Sequence, residues 1–221
     1  MISQRKFASL FYPIRLQIFE KLNLNTIFVR EVMNNPDASR CFPNREDMYK
    51  YINDEFIQND IFDYLEFGVF EGAAIKNWIE LNKNPDSRFF GFDSFEGLPE
   101  NWTKIHQKGS FDVGGELPDI DDPRVNFVKG WFQDTLPSFL DSYNAAEKIV
   151  IHNDSDLYSS TLYCLTKLDQ LLKPGSIIIF DEFYDLIHEF KAFEEYKSAY
   201  RRKWRMVAHT KNFVQAAVVA I

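Results

Sequence analysis

Two acidic clusters carry the clearest chemistry: Asp154-Ser155-Asp156, one residue past the apolar run KIVIH, and Asp181-Glu182, directly after SIIIF. If those runs are neighbouring strands of a parallel sheet, their tips bring four carboxylates together. Such carboxylates repel one another unless they take up protons or a cation. An all-oxygen donor set suits Mg²⁺ better than zinc or copper. A plainer reading makes Asp156 the cap of a helix starting near Tyr158, and Asp181 the cap of the next one. The other constellation is Glu66-Phe67-Gly68-Val69-Phe70-Glu71-Gly72. It is a glycine turn between an apolar run and a helical stretch, where open α/β sheets bind ligands. Its GxxxG spacing lacks the middle glycine of the GxGxxG fingerprint, which argues against NAD. The glycines equally suit a tight turn with close helix packing. Phe92-Asp93-Ser94 follows about twenty residues later, where an acidic side chain can accept from both hydroxyls of a ribose. The competing reading of Asp93 is a turn former.

The elements that must hold these residues are legible as short apolar runs alternating with helix-length amphipathic stretches from about residue 60. Strands are predicted at 62–67, 88–92, 125–128, 148–152 and 176–180, and helices at 72–81, 135–142, 158–172 and 186–201. Two further strands around Thr210-Lys211-Asn212 suit an antiparallel hairpin. The first sixty residues are helix-prone, broken at Asn34-Asn35-Pro36 and Pro43-Asn44, and show no strand pattern, so they read as an N-terminal helical extension that covers the site or contacts a partner copy. Phe7, Leu10, Phe11, Ile14 and Ile18 recur at helical spacing. That stripe is read as packing on its own domain or on a dimer partner, with a peripheral membrane helix as the alternative. Residues 94–124 form a long irregular segment rich in glycine and proline, of the kind that serves as a lid.

Composition narrows the function classes. The 221 residues carry 33 acidic against 25 basic side chains, a formal charge of −8, which disfavours a protein that binds by neutralising phosphates. Hydrophobic residues make up 45% of the chain, with 22 Phe, as in a globular protein of aromatic-rich core. No apolar run approaches the ~20 residues that span a bilayer. Cys41 and Cys164 are the only cysteines, so neither a disulfide framework nor a zinc knuckle is expected, and a cytoplasmic setting follows.

The wording LEFGVFEGAAIKNW, FFGFDSFEGLPENW, VKGWFQDTLPSFL and VIHNDSDLYSSTLYCLTKLDQLLKPGSIIIFDEF resembles the class I S-adenosylmethionine-dependent methyltransferases, and within them the macrocin O-methyltransferase (TylF/MycF/NovP-like) family. The resemblance runs over roughly residues 65–221. It implies a Rossmann-like α/β fold with a mostly parallel seven-stranded sheet, a C-terminal antiparallel hairpin and an N-terminal helical extension. The expected division is residues 1–60 for the extension and 61–221 for the methyltransferase domain. By resemblance Glu66, Gly68 and Gly72 line the methionine part of S-adenosylmethionine. Asp93, with Ser94 beside it, takes the ribose, and Gly130, Trp131 and Phe132 flank the adenine. Asp154, Asp181 and Glu182 would hold Mg²⁺, and Asp156 would be the general base. His106, in the long loop after Trp102, is a candidate second base or substrate contact. His152 reads as a packed strand histidine, and His188-Glu189 either as a recurring HE pair of that family or as a capping or surface contact.

The implied activity is O-methylation of a hydroxyl on a sugar or glycosylated small molecule, by a cytoplasmic homodimer without nucleic-acid partners or stable membrane insertion. Two other functions fit parts of the pattern: a glycosyltransferase using Asp154-Ser155-Asp156 as a DxD, and a non-catalytic protein of the same fold. Relatives commonly show two aspartates where this chain has Asp181-Glu182, and GGS where it has Gly72-Ala73-Ala74.

Overall fold

The structure, a computed structural model, describes residues 14–34 and 40–221, with side chains from residue 18 onward. Of the N-terminal stripe, Phe7, Leu10 and Phe11 lie outside the described residues, as does Pro36, and Ile14 is described in backbone only. The helices are α1 (Ile14–Phe28), α2 (Arg45–Ile52), α3 (Ala73–Leu81), α4 (Phe132–Ser142), α5 (Tyr158–Leu168) and α6 (Glu189–Ala199). The strands are β1 (Cys41–Phe42), β2 (Phe62–Phe67), β3 (Arg88–Asp93), β4 (Val125–Lys129), β5 (Lys148–Asn153), β6 (Ile177–Phe180), β7 (Trp204–Thr210) and β8 (Ala216–Ala220).

They form one eight-stranded sheet in the order β1-β7-β8-β6-β5-β2-β3-β4. All neighbours are parallel except β8, which runs antiparallel to both β6 and β7. The seven strands read from the sequence are present. Cys41–Phe42 adds an eighth, in a stretch read as strand-free, pairing in parallel with His209 and Thr210 of β7. Two residues are too few to show a period-two pattern, so only the pairing reveals this strand. Helix α4 begins at Phe132, three residues before its predicted start, and α6 is shorter at both ends than predicted.

The central strands are apolar on both faces because helices cover both. Leu65, Phe67, Ile151, Ile178 and Phe180 face one buried cluster, shared with Leu165 of α5, Phe193 of α6 and Leu24 and Phe28 of α1. Phe62, Tyr64, Val150, Ile177 and Ile179 face the other, closed by Met48, Tyr49 and Ile52 of α2 and Trp78 of α3.

The chain leaves β2 toward β3 on one side, while β5 and β6 lie on the other, so the carboxyl ends of β2 and β5 flank the switch point where such sheets bind ligands. Phe67 pairs with Asn153 there, and the turn that follows runs against the next residue of the neighbouring strand. Gly68 has φ +90°, and a Cβ at that position would stand 1.8 Å from the Asp154 carbonyl oxygen. Gly68→Ala is therefore expected to cost more than about 2 kcal/mol, through a backbone clash added to left-handed strain. Urea unfolding checks this, and a loss below about 0.5 kcal/mol would mean the turn relaxes freely.

Candidate active site

The carboxyl ends of β2 to β6 open into a cleft of about 270 Å³. Of the residues singled out from the sequence, Gly68, Asp93, Ser94, Gly130, Trp131, Phe132, Asp154, Asp156, Asp181 and Glu182 line this one cavity. Glu66, Gly72 and His106 do not line it.

Asp93 serves as the turn former weighed for it, from a position on the cleft. Its Oδ2 accepts from the backbone N–H groups of Val69 (2.8 Å) and Phe70 (3.0 Å), and its Oδ1 from Phe95 N–H (2.8 Å). The carboxylate thus ties the β2–α3 turn to the loop after β3 and still lines the cleft. A carboxylate offers about four acceptor positions, so about one is left for a ligand hydroxyl. Ser94 shapes the same corner, accepting from Glu96 N–H (3.1 Å) and donating to the Gly97 carbonyl (3.3 Å). Gly130 N–H donates to the Asp93 carbonyl (2.8 Å), and Phe132 sets its ring edge-on against Phe67 at 5.5 Å. Glu66 is buried below the cleft and accepts from the Tyr64 hydroxyl at 2.9 Å. Burial pushes its pKa up to about 8, against the opposing pull of that hydroxyl. Gly72 starts α3 in a left-handed conformation and packs on Pro118 of the long loop.

The other bank of the cleft holds the acidic residues. Carboxylate oxygens of Asp154, Asp156 and Glu182 lie within 4.8 Å of one another, and a second set joins His152, Asp154 and Asp181 at the same spacing. Burial, followed by the Asp181 and Asp156 charges, raises the pKa of Asp154. Burial drives Asp156 up to about 7, although a hydrogen bond with Glu182 opposes the shift. Burial and then the Glu189 and Asp154 charges push Glu182 up to about 12. For Asp181 burial pulls upward, but His152 beside it, together with Arg45, holds the group below its ordinary range.

The capping alternative does not hold for either aspartate. Helix α5 has Leu157 at its N-cap, and Tyr158 N–H is met by His188 Nδ1 at 3.2 Å, so His188 serves that helix end instead. Helix α6 starts at Glu189 with no side-chain cap. Asp156 also carries φ +60°, a conformation that costs energy for a residue other than glycine and clusters at functional sites.

Donor chemistry fits a divalent cation. Buried Asp181 Oδ1 and Glu182 Oε2 have no hydrogen-bond partner among the described residues, beside two further carboxylates. Unpaired buried oxygens of this kind are costly unless protonated or coordinated.

His106 sits one layer behind the cleft, stacked between Trp102 (5.4 Å) and Phe111 (5.1 Å), both of which line it. Other residues belong to the site without having been read as such. Glu189, taken as a surface or capping contact, is buried and accepts from Asn153 Nδ2 (2.7 Å) and Glu182 N–H (3.0 Å). Arg45, in the segment read as an extension, brings its Nη1 to 3.8 Å from Asp181 Oδ2. The position of Arg45 just after Asn44, a good N-cap, was visible in the sequence; its proximity to β6 was not.

The chain resembles several known proteins. Residues 116–209 match the macrocin-O-methyltransferase (TylF) family. An 8-demethyl-8-(2,3-dimethoxy-alpha-L-rhamnosyl)-tetracenomycin-C 4'-O-methyltransferase of Streptomyces olivaceus is 28% identical over 158 residues, 58% of this chain and 58% of that protein. Demethyldecarbamoylnovobiocin O-methyltransferase of Streptomyces niveus is 26% identical over 174 residues, 66% of this chain and 64% of that protein. The chain thus spans less than two thirds of these relatives' own length. Among solved structures, calicheamicin methyltransferase CalS11 superposes with TM-score 0.62 at 20% identity, over 94% of this chain and 93% of that one. The O-methyltransferase NovP gives TM-score 0.61 at 22% identity, over 79% of this chain and 78% of that one. This chain shares its fold with both structures.

The raised carboxylates give a pH signature with a definite sign. An aspartate held at about 7 in the folded state, against an ordinary 3.8, keeps its proton while the unfolded chain loses it. Its contribution to stability is full below about pH 4 and is lost as pH rises to about 7. In chelator, Asp156→Asn is expected to stabilise the protein at pH 8 by roughly 1–3 kcal/mol and to change little near pH 4. Urea unfolding at both pH values checks it, and an equal effect at the two would show an unshifted aspartate.

Proposed function

From a chain with the macrocin-O-methyltransferase (TylF) match over residues 116–209 on the class I methyltransferase fold, we propose an S-adenosylmethionine-dependent O-methyltransferase that modifies a hydroxyl of a sugar or glycosylated small molecule. One observation carries this reading: the same cleft joins the Asp93 and glycine-turn corner to the cluster Asp154, Asp156 and Glu182. A nucleoside site beside a cation-binding acid cluster is what metal-assisted alkylation of a poorly nucleophilic hydroxyl needs. The Streptomyces olivaceus relative acts on a rhamnosyl-bearing product by its name, and a further structure of this fold, cmcI in its Mg-SAM form, has TM-score 0.55 at 17% identity over 80% of this chain and 72% of that one.

In this reading Asp93 accepts from a ribose hydroxyl, while Gly130, Trp131 and Phe132 form the adenine wall. Gly68 lets the turn pass close to the cofactor's amino-acid end, with Glu66 and Gly72 supporting that corner. Asp154, shared by both acidic sets, would hold Mg²⁺ with Glu182 from one set and Asp181 from the other. Bound there, S-adenosylmethionine supplies the methyl group, and the divalent cation supplies positive charge that lowers a hydroxyl's pKa. Asp156 would take the hydroxyl proton as the oxygen bonds the methyl carbon and the carbon–sulfur bond breaks to leave S-adenosylhomocysteine, and the Trp102, His106 and Phe111 stack would wall the cleft against water.

The reading includes a cytoplasmic homodimer, divided into an extension at 1–60 and a methyltransferase domain at 61–221. Ile18, Leu22, Val29 and Met33 of the first helical segment are exposed on one side, which supports a second copy packing there. No helix among the described residues is long and apolar enough to cross a membrane.

Titration of S-adenosylhomocysteine is expected to show binding that Asp93→Ala weakens by at least about 100-fold. Asp156→Asn is expected to keep that binding and to lose about 10²- to 10⁴-fold in methyl transfer from labelled S-adenosylmethionine to a panel of sugar acceptors. A wild-type protein that fails to bind S-adenosylhomocysteine overturns the reading. Light scattering that shows only monomer overturns the dimer.

A further inference from the structure

Below the cleft lies a chain of polar side chains that touches neither the cavity nor solvent. Tyr49, Tyr64 and His152 are fully buried and Glu66 is 1% exposed, yet none of the four lines the cleft. Burying four such groups is unfavourable unless each is bonded, and a bonded network fixes geometry. The order is plain. Glu66 Oε2 accepts from Tyr64 Oη at 2.9 Å, Tyr64 Oη lies 2.6 Å from His152 Nδ1, and the imidazole reaches Asp181 through a charge contact, Nε2 to Oδ1 at 3.6 Å, rather than a hydrogen bond. Tyr49 Oη is 3.4 Å from the same Nε2, and its ring meets the imidazole edge-on at 5.5 Å. Tyr49 and Tyr64 both pack on Trp78, at 5.5 and 5.3 Å. The imidazole therefore has a tyrosine hydroxyl at each ring nitrogen.

Among the groups this chain touches, Asp181 is the one that reaches the cleft as a candidate cation ligand. Its other oxygen faces Arg45 across 3.8 Å, so the carboxylate is addressed from two elements at once, α2 and β5. A carboxylate that binds a cation is sensitive to such support, because a ligand held in one rotamer loses less freedom on binding.

We propose that Tyr64 and His152 are positioning residues, fixing the rotamer of Asp181 and thereby setting the affinity of the cleft for a divalent cation. This rests on the reading that the acidic cluster holds such a cation. Tyr64 acts through His152, so removing the hydroxyl matters only while the imidazole is present.

The test uses the full chain and Mn²⁺ as the probe, with electron paramagnetic resonance for binding and line shape. S-adenosylhomocysteine binding and thermal unfolding are measured on the same samples. Tyr64→Phe keeps the ring on Trp78 and removes the hydroxyl. It is expected to weaken Mn²⁺ by about 10-fold and to alter its line shape, with S-adenosylhomocysteine binding changed by less than about twofold. His152→Asn is expected to lose at least as much, and Tyr64→Phe combined with it to lose no more than His152→Asn alone. Mn²⁺ affinity within about twofold of wild type in folded Tyr64→Phe overturns the proposal, and so do losses that add in the double variant. If His152→Asn does not fold, Tyr64→Phe decides alone. A wild-type protein that binds S-adenosylhomocysteine but no Mn²⁺ overturns both this proposal and the cation part of the functional reading. Variants that match wild type in Mn²⁺ binding overturn only the positioning role.

Discussion

The site depends on the parallel pairing of β2 with β5. That register sets Phe67 against Asn153, so the two chains leave the sheet side by side and Asp154 N–H donates to the Phe67 carbonyl at 2.9 Å. The glycine turn then passes the Asp154 carbonyl at a distance that no Cβ tolerates. The corner held by Asp93 and the first acidic cluster are consequently two faces of a single backbone contact. A shift of one residue in β2 would turn Leu65 and Phe67 out of their core and separate both halves of the cleft.

From that contact outward, the structure gathers carboxylates with few donors in the cleft and neutralises buried charge elsewhere. Asp63, at the opposite end of β2, is fully buried but receives Arg88 Nε and Nη2, Tyr143 Oη and Ala146 N–H. Arg124 is similarly saturated, donating to Asp122 and to the carbonyls of Ile79, Asn82 and Asn84. At the carboxyl end no comparable set of donors meets Asp154, Asp156 and Glu182, and their pKa values rise for that reason. The buried carboxylate at one end of β2 is neutralised by the scaffold, whereas those at the other end are left short of donors.

The sheet was legible because its strands are apolar on both faces and separated by helix-length segments, so the predicted strand boundaries fall within a residue of those observed. The acidic residues were legible as strand-end clusters, since a strand tip is a fixed place. What stayed hidden came from contacts distant in sequence. Arg45 reaches Asp181 across more than a hundred residues, and His152 looks like any apolar-run residue until Tyr64 is found beside it on the next strand. Glu189 reads as an ordinary first-turn acid of a helix, a favourable position near the helix N-terminus. Only the packing of α6 over the end of β6 shows it gripping the Glu182 amide.

Residues 94–124 looked structureless because their order is made by turns and tethers instead of periodicity. Gly97, with φ +79°, brings the chain so close to Ser110 that a Cβ would sit 2.5 Å from its carbonyl oxygen, and Leu98 exchanges backbone hydrogen bonds with Ser110 and Gly109. The folded-back segment is then tied to the acidic bank twice. Ser159 Oγ donates to Glu100 at 2.5 Å, and Trp102 Nε1 donates to Asp185 at 3.2 Å. The strands therefore decide which groups meet, while this segment decides how deep the cleft is, because Leu98, Pro99, Trp102 and Phe111 all come from it. A cavity built this way has a polar floor fixed by the sheet and an apolar wall hung from the opposite bank by two hydrogen bonds, so wall and floor can be altered independently.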